Sequence, residues 1–134
     1  MSNQDRKYTK THEWVSLETE ASSTTATIGI TAFALQSLTD LVFIDLPAVG
    51  REVRRGESFG EVESVKAVSD LYSPVDGQIV AVNTEASGDL KRLSDDPYGF
   101  GWLVKIAVSD EAGLKELLDE TSYKKQCEQE LAEE

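Results

Sequence analysis

The sequence predicts a mainly β fold, a small barrel or sandwich with short helices, notably at the C-terminus. Three observations carry that expectation. Short apolar or alternating runs recur along the chain, each stopped by a Gly, Pro or polar turn. The clearest run, Thr24–Ile30, sets Ala26, Ile28 and Ile30 on one face and Thr25, Thr27 and Gly29 on the other, the period of a half-buried strand. Helical spacing is confined to short stretches, the longest of them after Ser109.

Residues 1–7 are polar and read as loose. Glu13–Thr19 holds Trp14, Val15 and Leu17 in a strand-like run, and the polar stretch Glu18–Ser23 turns it into Thr24–Ile30, making a first hairpin. Thr31 is placed to cap a short helix through about Leu38, with Leu35 and Leu38 one turn apart. Leu41–Leu46 is apolar on both faces and reads as a central strand, ended by Pro47 and Gly50. Val53 and Phe59 flank the turn Arg54-Arg55-Gly56-Glu57, and Gln78–Val82 is a further strand. Asn83–Phe100 is long, polar and without β pattern, the signature of a functional or mobile loop, with Leu90 and Leu93 as one helical anchor. Trp102–Val108 is the last strand, with Trp102, Val104, Ile106 and Val108 on one face. Ser109 is expected to cap a helix whose first turn carries Asp110 and Glu111, the right sign for the helix dipole, with Leu114, Leu117 and Leu118 as its stripe. A second helix begins near Ser122, with Tyr123, Cys127 and Leu131 at spacing four, and the acidic tail Glu128–Glu134 is expected to fray. The expected unit is a single domain over residues 1–134, with an ordered core of about 7–119 and a C-terminal helix of about 122–132.

Composition narrows the function. The chain has 134 residues, 28% charged and 40% hydrophobic, as in a globular domain with a modest core. A net charge of −12 offers no basic footprint for phosphate, so nucleic acid is excluded as a partner, while steering toward basic protein surfaces is favoured. The single cysteine, Cys127, cannot form an intrachain disulfide and reads as a small packed residue. With one His, no Ser-His-Asp pattern and no metal-ligand spacing, neither catalytic nor metal-binding residues are expected. His12 reads as structural, and Tyr98 and Trp102 as core or loop anchors. No apolar run has membrane-spanning length. The first residues lack both a secretory apolar core and an Arg/Ser-rich transit segment. A cytoplasmic, bacterial-type protein is therefore expected over a mitochondrial mature form.

The stretch Gly60–Gly77 stands apart. Two strand-like runs meet at Val65-Lys66 between turn signals at Arg54–Glu57 and Pro74–Gly77, which reads as a hairpin with a lysine at its tip. Apolar Val65 and Ala67 flank the lysine, and Glu61, Glu63 and Asp70 lie near it. Carboxylates favour an ammonium, whereas Schiff-base and general-base roles need a neutral amine. Two uses remain open on position alone: a lysine that solvates a turn or blunts an edge, or an attachment point that a partner reaches and modifies.

Glu63-Ser64-Val65-Lys66-Ala67, with Ser69-Asp70 and Ser73-Pro74, resembles the lipoyl-attachment segment of the glycine cleavage H protein family. The likeness extends over nearly the whole chain: Thr11-His12-Glu13-Trp14-Val15, Ile28-Gly29-Ile30-Thr31, Gly60-Glu61-Val62, Asp96-Pro97-Tyr98-Gly99 and Gly101-Trp102-Leu103 occur in the family's order. The resemblance implies a fold of lipoyl/biotinyl type, with matching strand segments on two facing sheets. A faint echo agrees with that: Pro47-Ala48-Val49-Gly50 before Val53, and Pro74-Val75-Asp76-Gly77 before Val80.

It also implies that the chain is a carrier and not an enzyme. Lipoate would be joined covalently to Lys66 by an amide, which takes the net charge from −12 to −12 − 1 = −13. The implied partners are the P protein (glycine decarboxylase), the T protein (aminomethyltransferase), the L protein (dihydrolipoamide dehydrogenase) and lipoate-attaching enzymes. The P protein loads an aminomethyl group on the arm, the T protein removes its one-carbon unit, and the L protein reoxidises the arm. Because a carrier must leave each partner, a monomer is expected. The loaded arm would dock in a cleft whose polar end is lined by Glu13, Asp70 and Thr11, the right chemistry for a primary ammonium. Without the family, Glu13 and Asp70 read as solvated strand residues.

Two segments depart from the family's usual pattern. Ala32-Phe33 stands where many members carry an acidic residue followed by Tyr or His, and Lys91-Arg92-Leu93-Ser94 where an apolar pair and Asn are commoner. Other readings differ at the tip. A biotin carrier sets its lysine between methionines, whereas Met1 is the only Met here. Lipoyl domains of 2-oxoacid dehydrogenases carry Asp-Lys-Ala and continue into an acyltransferase. A lipoate relay donor to 2-oxoacid dehydrogenase complexes is the alternative function, and a plain interaction module with an unmodified lysine the remaining one.

Overall fold

The computed structural model describes residues 6–132. Two antiparallel sheets enclose one apolar core. The strands are β1 (Arg6–Tyr8), β2 (Glu13–Glu20), β3 (Ser23–Ile30), β4 (Leu41–Asp45), β5 (Glu52–Val53), β6 (Ser58–Ser64), β7 (Val68–Tyr72), β8 (Asp76–Val82) and β9 (Val104–Asp110). The larger sheet has the order β1-β2-β3-β9-β8-β5 and the smaller β4-β6-β7. Helices α1 (Ala32–Leu38), α2 (Thr84–Ser87), α3 (Leu90–Asp95) and α4 (Glu120–Ala132) and a 3-10 turn (Glu111–Glu116) complete the fold. The expected mainly β sandwich with short helices is therefore present.

Alternation positions the core. Val15, Ala26, Ile28, Ile79 and Ile106 face Ile44, Phe59, Val62 and Leu71 of the smaller sheet. The opposite side of β2 and β3 is covered as well: Trp14 lies over Gly29, where a Cβ would come within 2.5 Å of the indole Nε1. Tyr8, Trp14, Tyr123 and Cys127 form a second cluster under α4. Thr31 caps α1 as expected, its side chain accepting from the Ala34 N–H at 3.2 Å.

Several expectations need correction. Arg6 and Lys7 are not loose; they pair with Ser16 and Val15, because burying Tyr8 draws the preceding residues into the sheet. Residues 1–5 lie outside the described part. The first hairpin turns only at Ala21-Ser22, since the ladder continues through the polar pairs Glu18–Thr25 and Thr19–Thr24. β4 is an edge strand, not a central one, and Val42 and Phe43 are each 52% exposed. Asn83–Phe100 contains α2 and α3, capped by Asn83 and Asp89 and anchored by buried Ala86 and Leu93.

Trp102 lies outside β9 and packs on the outer aromatic cluster, because the Asn83 amide holds the carbonyls of Phe100 and Trp102. Ser109 stays in β9, and Asp110 caps the 3-10 turn instead. Leu117 and Leu118 leave that turn, Leu118 bonding Tyr8 through both backbone groups. α4 starts at Glu120, with the Asp119 carboxylate accepting from the Ser122 N–H at 2.8 Å. Leu131 is 59% exposed, so the buried stripe stops at Cys127, and the tail stays helical through Ala132, with Glu133 and Glu134 outside the described residues. The two Pro-x-x-Gly echoes lead into β5 and β8, which are neighbours in one sheet rather than facing strands.

Candidate functional site

The hairpin β6–β7 presents Lys66. Two-residue hairpin turns ordinarily need positive φ, which neither Val65 nor Lys66 adopts. Ser64 replaces that requirement. Its N–H donates to the Ala67 carbonyl at 2.8 Å, and its Oγ accepts from the Ala67 N–H at 3.1 Å. The Val65 N–H donates to the Asp40 carbonyl at 3.0 Å, which ties the tip to the segment after α1. The Lys66 side chain is exposed, and nothing among the described residues bonds its amine. Val65 (72% exposed) and Val68 (60%) flank it. Glu61, Glu63 and Asp70 share one face of the hairpin, since Asp70 sits opposite Glu61 and Glu63 is two residues further on.

A cleft of about 300 Å³ runs beside this hairpin. Phe33, Ala34 and Leu38 from α1 and Val62 and Leu71 from the smaller sheet give it apolar walls; Thr11, His12, Asp70 and Glu130 give it polar groups. Phe33 stacks on His12 with centroids 5.2 Å apart. A second cleft of about 750 Å³ lies on the other side of Thr11, lined by Glu13, Tyr72, Arg55 and Leu118 among others.

Glu13 is almost fully buried, at 1% exposure. Its Oε1 accepts from the hydroxyls of Thr9 (2.6 Å) and Thr11, and its Oε2 from the Tyr72 N–H at 3.4 Å. Burial pushes the carboxyl above its ordinary range, and the hydrogen bonds offset part of that push. Asp70 is exposed, with only long contacts of 3.4 Å to the hydroxyls of Ser58 and Tyr72. Thr11 and Glu13 are thus in direct contact, whereas Asp70 approaches from β7 and faces the smaller cleft.

Sequence reasoning missed Thr9, whose alternation with Thr11 and Glu13 was a readable signal, and Glu130, for which no local signal exists. Glu130 reaches the cleft from a helix 118 residues away, its Oε1 3.0 Å from His12 Nε2. Among the described residues no group of three or more His, Cys, Asp or Glu side chains could hold a metal ion, and no helix is long and apolar enough to cross a membrane.

A family model described as glycine cleavage H-protein matches residues 6–130. The chain belongs to that family. It is 54% identical over 122 residues to the glycine cleavage system H protein of Rhodopirellula baltica, covering 90% of this chain and 91% of that one. It is 50% identical over 125 residues to the H protein of Thermotoga maritima, covering 93% and 98%. The crystal structure of an H protein from Mycobacterium marinum superposes with a TM-score of 0.78 at 45% identity, covering 92% of this chain and 96% of that one. The H-protein match takes in Thr11, Glu13, Lys66 and Asp70 and extends to Glu130 itself.

Proposed function

We propose that Lys66 carries lipoate in amide linkage and that the smaller cleft receives the cargo end of the arm. The function at large follows from family membership: the chain is the carrier protein of the glycine cleavage system, shuttling an aminomethyl group, and is not itself an enzyme. When bound, lipoate supplies a dithiolane capable of thiol–disulfide exchange and two-electron redox chemistry.

One observation supports the attachment site above the rest: Lys66 is an exposed amine, unbonded among the described residues, on a braced turn of the hairpin whose strands line the smaller cleft. The dimensions agree with docking. Asp70 lies four residues past Lys66, so at most ~13 Å separates them at full strand rise. A lysyl–lipoyl chain of about a dozen bonds, extended at the reach of backbone bonds, spans roughly 14 Å. The apolar walls shield the chain from water, and Asp70 and Thr11 on that cleft offer acceptors to a primary ammonium at its end, with Glu13 bonded to Thr11 from the neighbouring cleft. Exposed Val65 and Val68, with Glu61 and Glu63 behind them, form the surface that a lipoate-attaching enzyme and the P, T and L proteins would meet. Tethering raises the effective concentration of the arm at each partner.

The test is the intact mass of the protein from cells supplied with lipoate, followed by peptide mapping. A lipoyl increment on Lys66 alone is expected. A biotinyl increment overturns the assignment in favour of a biotin carrier. No increment, with a control lipoyl protein fully modified, leaves an unmodified hairpin lysine. For the docking residues, Glu13→Ala should speed decay of the cargo once the P protein is removed; an unchanged rate excludes Glu13 from cargo binding.

A further inference from the structure

We infer that Glu130, near the end of α4, is a cargo-binding residue: with Asp70 it holds the ammonium in the smaller cleft, and α4 is thereby part of the docking site. The inference rests on the carrier reading of Lys66.

Glu130 and Asp70 are the two carboxylates that line the cleft beside the hairpin, and Thr11 lies with them. Glu13 lines the neighbouring cleft and is almost fully buried, bonded by Thr9, Thr11 and Tyr72. A cation reaching the end of the smaller cleft therefore meets Asp70 and Glu130 on that cleft's own lining.

Glu130 is held in place by more than a surface glutamate needs. Its Oε1 takes His12 Nε2 at 3.0 Å and its Oε2 takes Gln126 Nε2 at 2.8 Å. Gln126 also donates to the Lys10 carbonyl at 2.9 Å, which fastens this part of α4 to the loop that carries Thr11. His12 is fastened in turn, with Nδ1 2.7 Å from the Tyr123 hydroxyl, which lies 2.6 Å from Thr31 Oγ1.

With Glu130 ionised, every arrangement of protons that satisfies the whole chain has His12 donating its Nε2–H to Glu130. Either Thr31 donates to Tyr123 and Tyr123 to His12 Nδ1, or Nδ1–H donates to Tyr123 and Tyr123 to Thr31. Glu130 then keeps its full negative charge. The hydrogen bonds from Gln126 and His12 hold its carboxyl below the usual range. Each oxygen has spent one lone pair and has another to offer an ammonium N–H. Its side chain remains 41% exposed, so the free lone pairs are accessible.

The test uses the full-length lipoylated protein, loaded from [2-13C]glycine by glycine decarboxylase, which is then removed. In the wild type, the labelled cargo methylene should show nuclear Overhauser contacts to the side chains of Glu130 and Asp70. Contacts to Thr9 and Tyr72 alone would place the cargo in the larger cleft and overturn the inference. Glu130→Gln, which keeps the side-chain length, should lose cargo about tenfold faster than wild type, as expected for one charge-assisted hydrogen bond. Amide exchange across α4 in the unloaded variant checks that the helix is still docked. Wild-type decay in Glu130→Gln with α4 docked overturns the inference. If α4 is undocked, the wild-type contacts decide. A chain that takes no lipoyl group, visible by mass before loading, overturns the carrier reading and this inference together. A lipoylated chain with wild-type decay in Glu130→Gln overturns this inference alone.

Discussion

Replacing Tyr123 by Phe removes one oxygen and leaves the ring stacked on Tyr8, with centroids 4.6 Å apart and planes 5° from parallel. That oxygen joins Thr31 Oγ1 at 2.6 Å to His12 Nδ1 at 2.7 Å. Thr31 is 0% exposed, so its hydroxyl cannot turn to water when the partner is lost. An unsatisfied buried hydroxyl costs about 1–3 kcal/mol, whereas His12, partly exposed, can replace its lost bond with water at little cost. The expected loss is therefore ~2 kcal/mol. With a urea slope of ~2 kcal/mol/M for a chain of this size, the unfolding midpoint should fall by about 1 M at unchanged slope. Burial pushes the Tyr123 hydroxyl far above its ordinary range, so its ionisation does not complicate the measurement. Amide exchange should accelerate first in α4, the element this oxygen ties to the start of α1 and the loop before β2. A midpoint shift below roughly 0.25 M, equivalent to ~0.5 kcal/mol, would refute the relay as a stabilising connection.

Other expectations follow from the same contacts. Glu13 is raised above its ordinary value of 4.5 by burial, so the folded state holds that proton more tightly than the unfolded chain. Its contribution is fully present below about pH 4.5 and is lost as pH rises through the folded value. Glu13→Gln should flatten that part of the stability–pH curve, read from urea midpoints between pH 4 and 7; parallel curves would contradict the burial argument. Gly60→Ala would set a Cβ 2.3 Å from the Asp45 carbonyl oxygen, prising β4 from β6 and costing about 1–3 kcal/mol by denaturation. Leu93→Ala, at a side chain 1% exposed, should cost about 2–5 kcal/mol, because the anchor of the 83–100 segment leaves a cavity. Lys66→Arg should abolish the lipoyl increment while changing stability by less than about 0.5 kcal/mol, since the side chain is exposed and nothing among the described residues bonds it.

The sequence was most legible where structure is decided within a few residues. The alternation of Thr24–Ile30, the Thr31 cap and the hairpin around Lys66 were all readable, because side-chain period, capping and turn chemistry depend on near neighbours. Misreadings arose where a distant element covers or leaves bare a surface. Leu41–Leu46 looked central because apolar residues on both faces imply cover on both, yet β4 sits at an edge with Phe43 half exposed. Trp102 continued an alternation that the Asn83 amide breaks by capturing the adjacent carbonyls. Leu118 fitted a helical stripe, but its backbone pairs with Tyr8.

By itself, then, the sequence determined the period of Thr24–Ile30, the Thr31 cap, a lysine-tipped hairpin and the acidic, apolar chemistry beside it. Tertiary structure alone decided that Glu13 is buried, that Thr11 borders two clefts, and that Glu130 joins His12 at the mouth of the smaller one. The physical reason is range. Local backbone preferences write a pattern into adjacent residues, whereas a carboxylate brought to an imidazole across 118 residues of chain is positioned by the packing of α4 on the sheet and leaves no mark in the sequence around either residue.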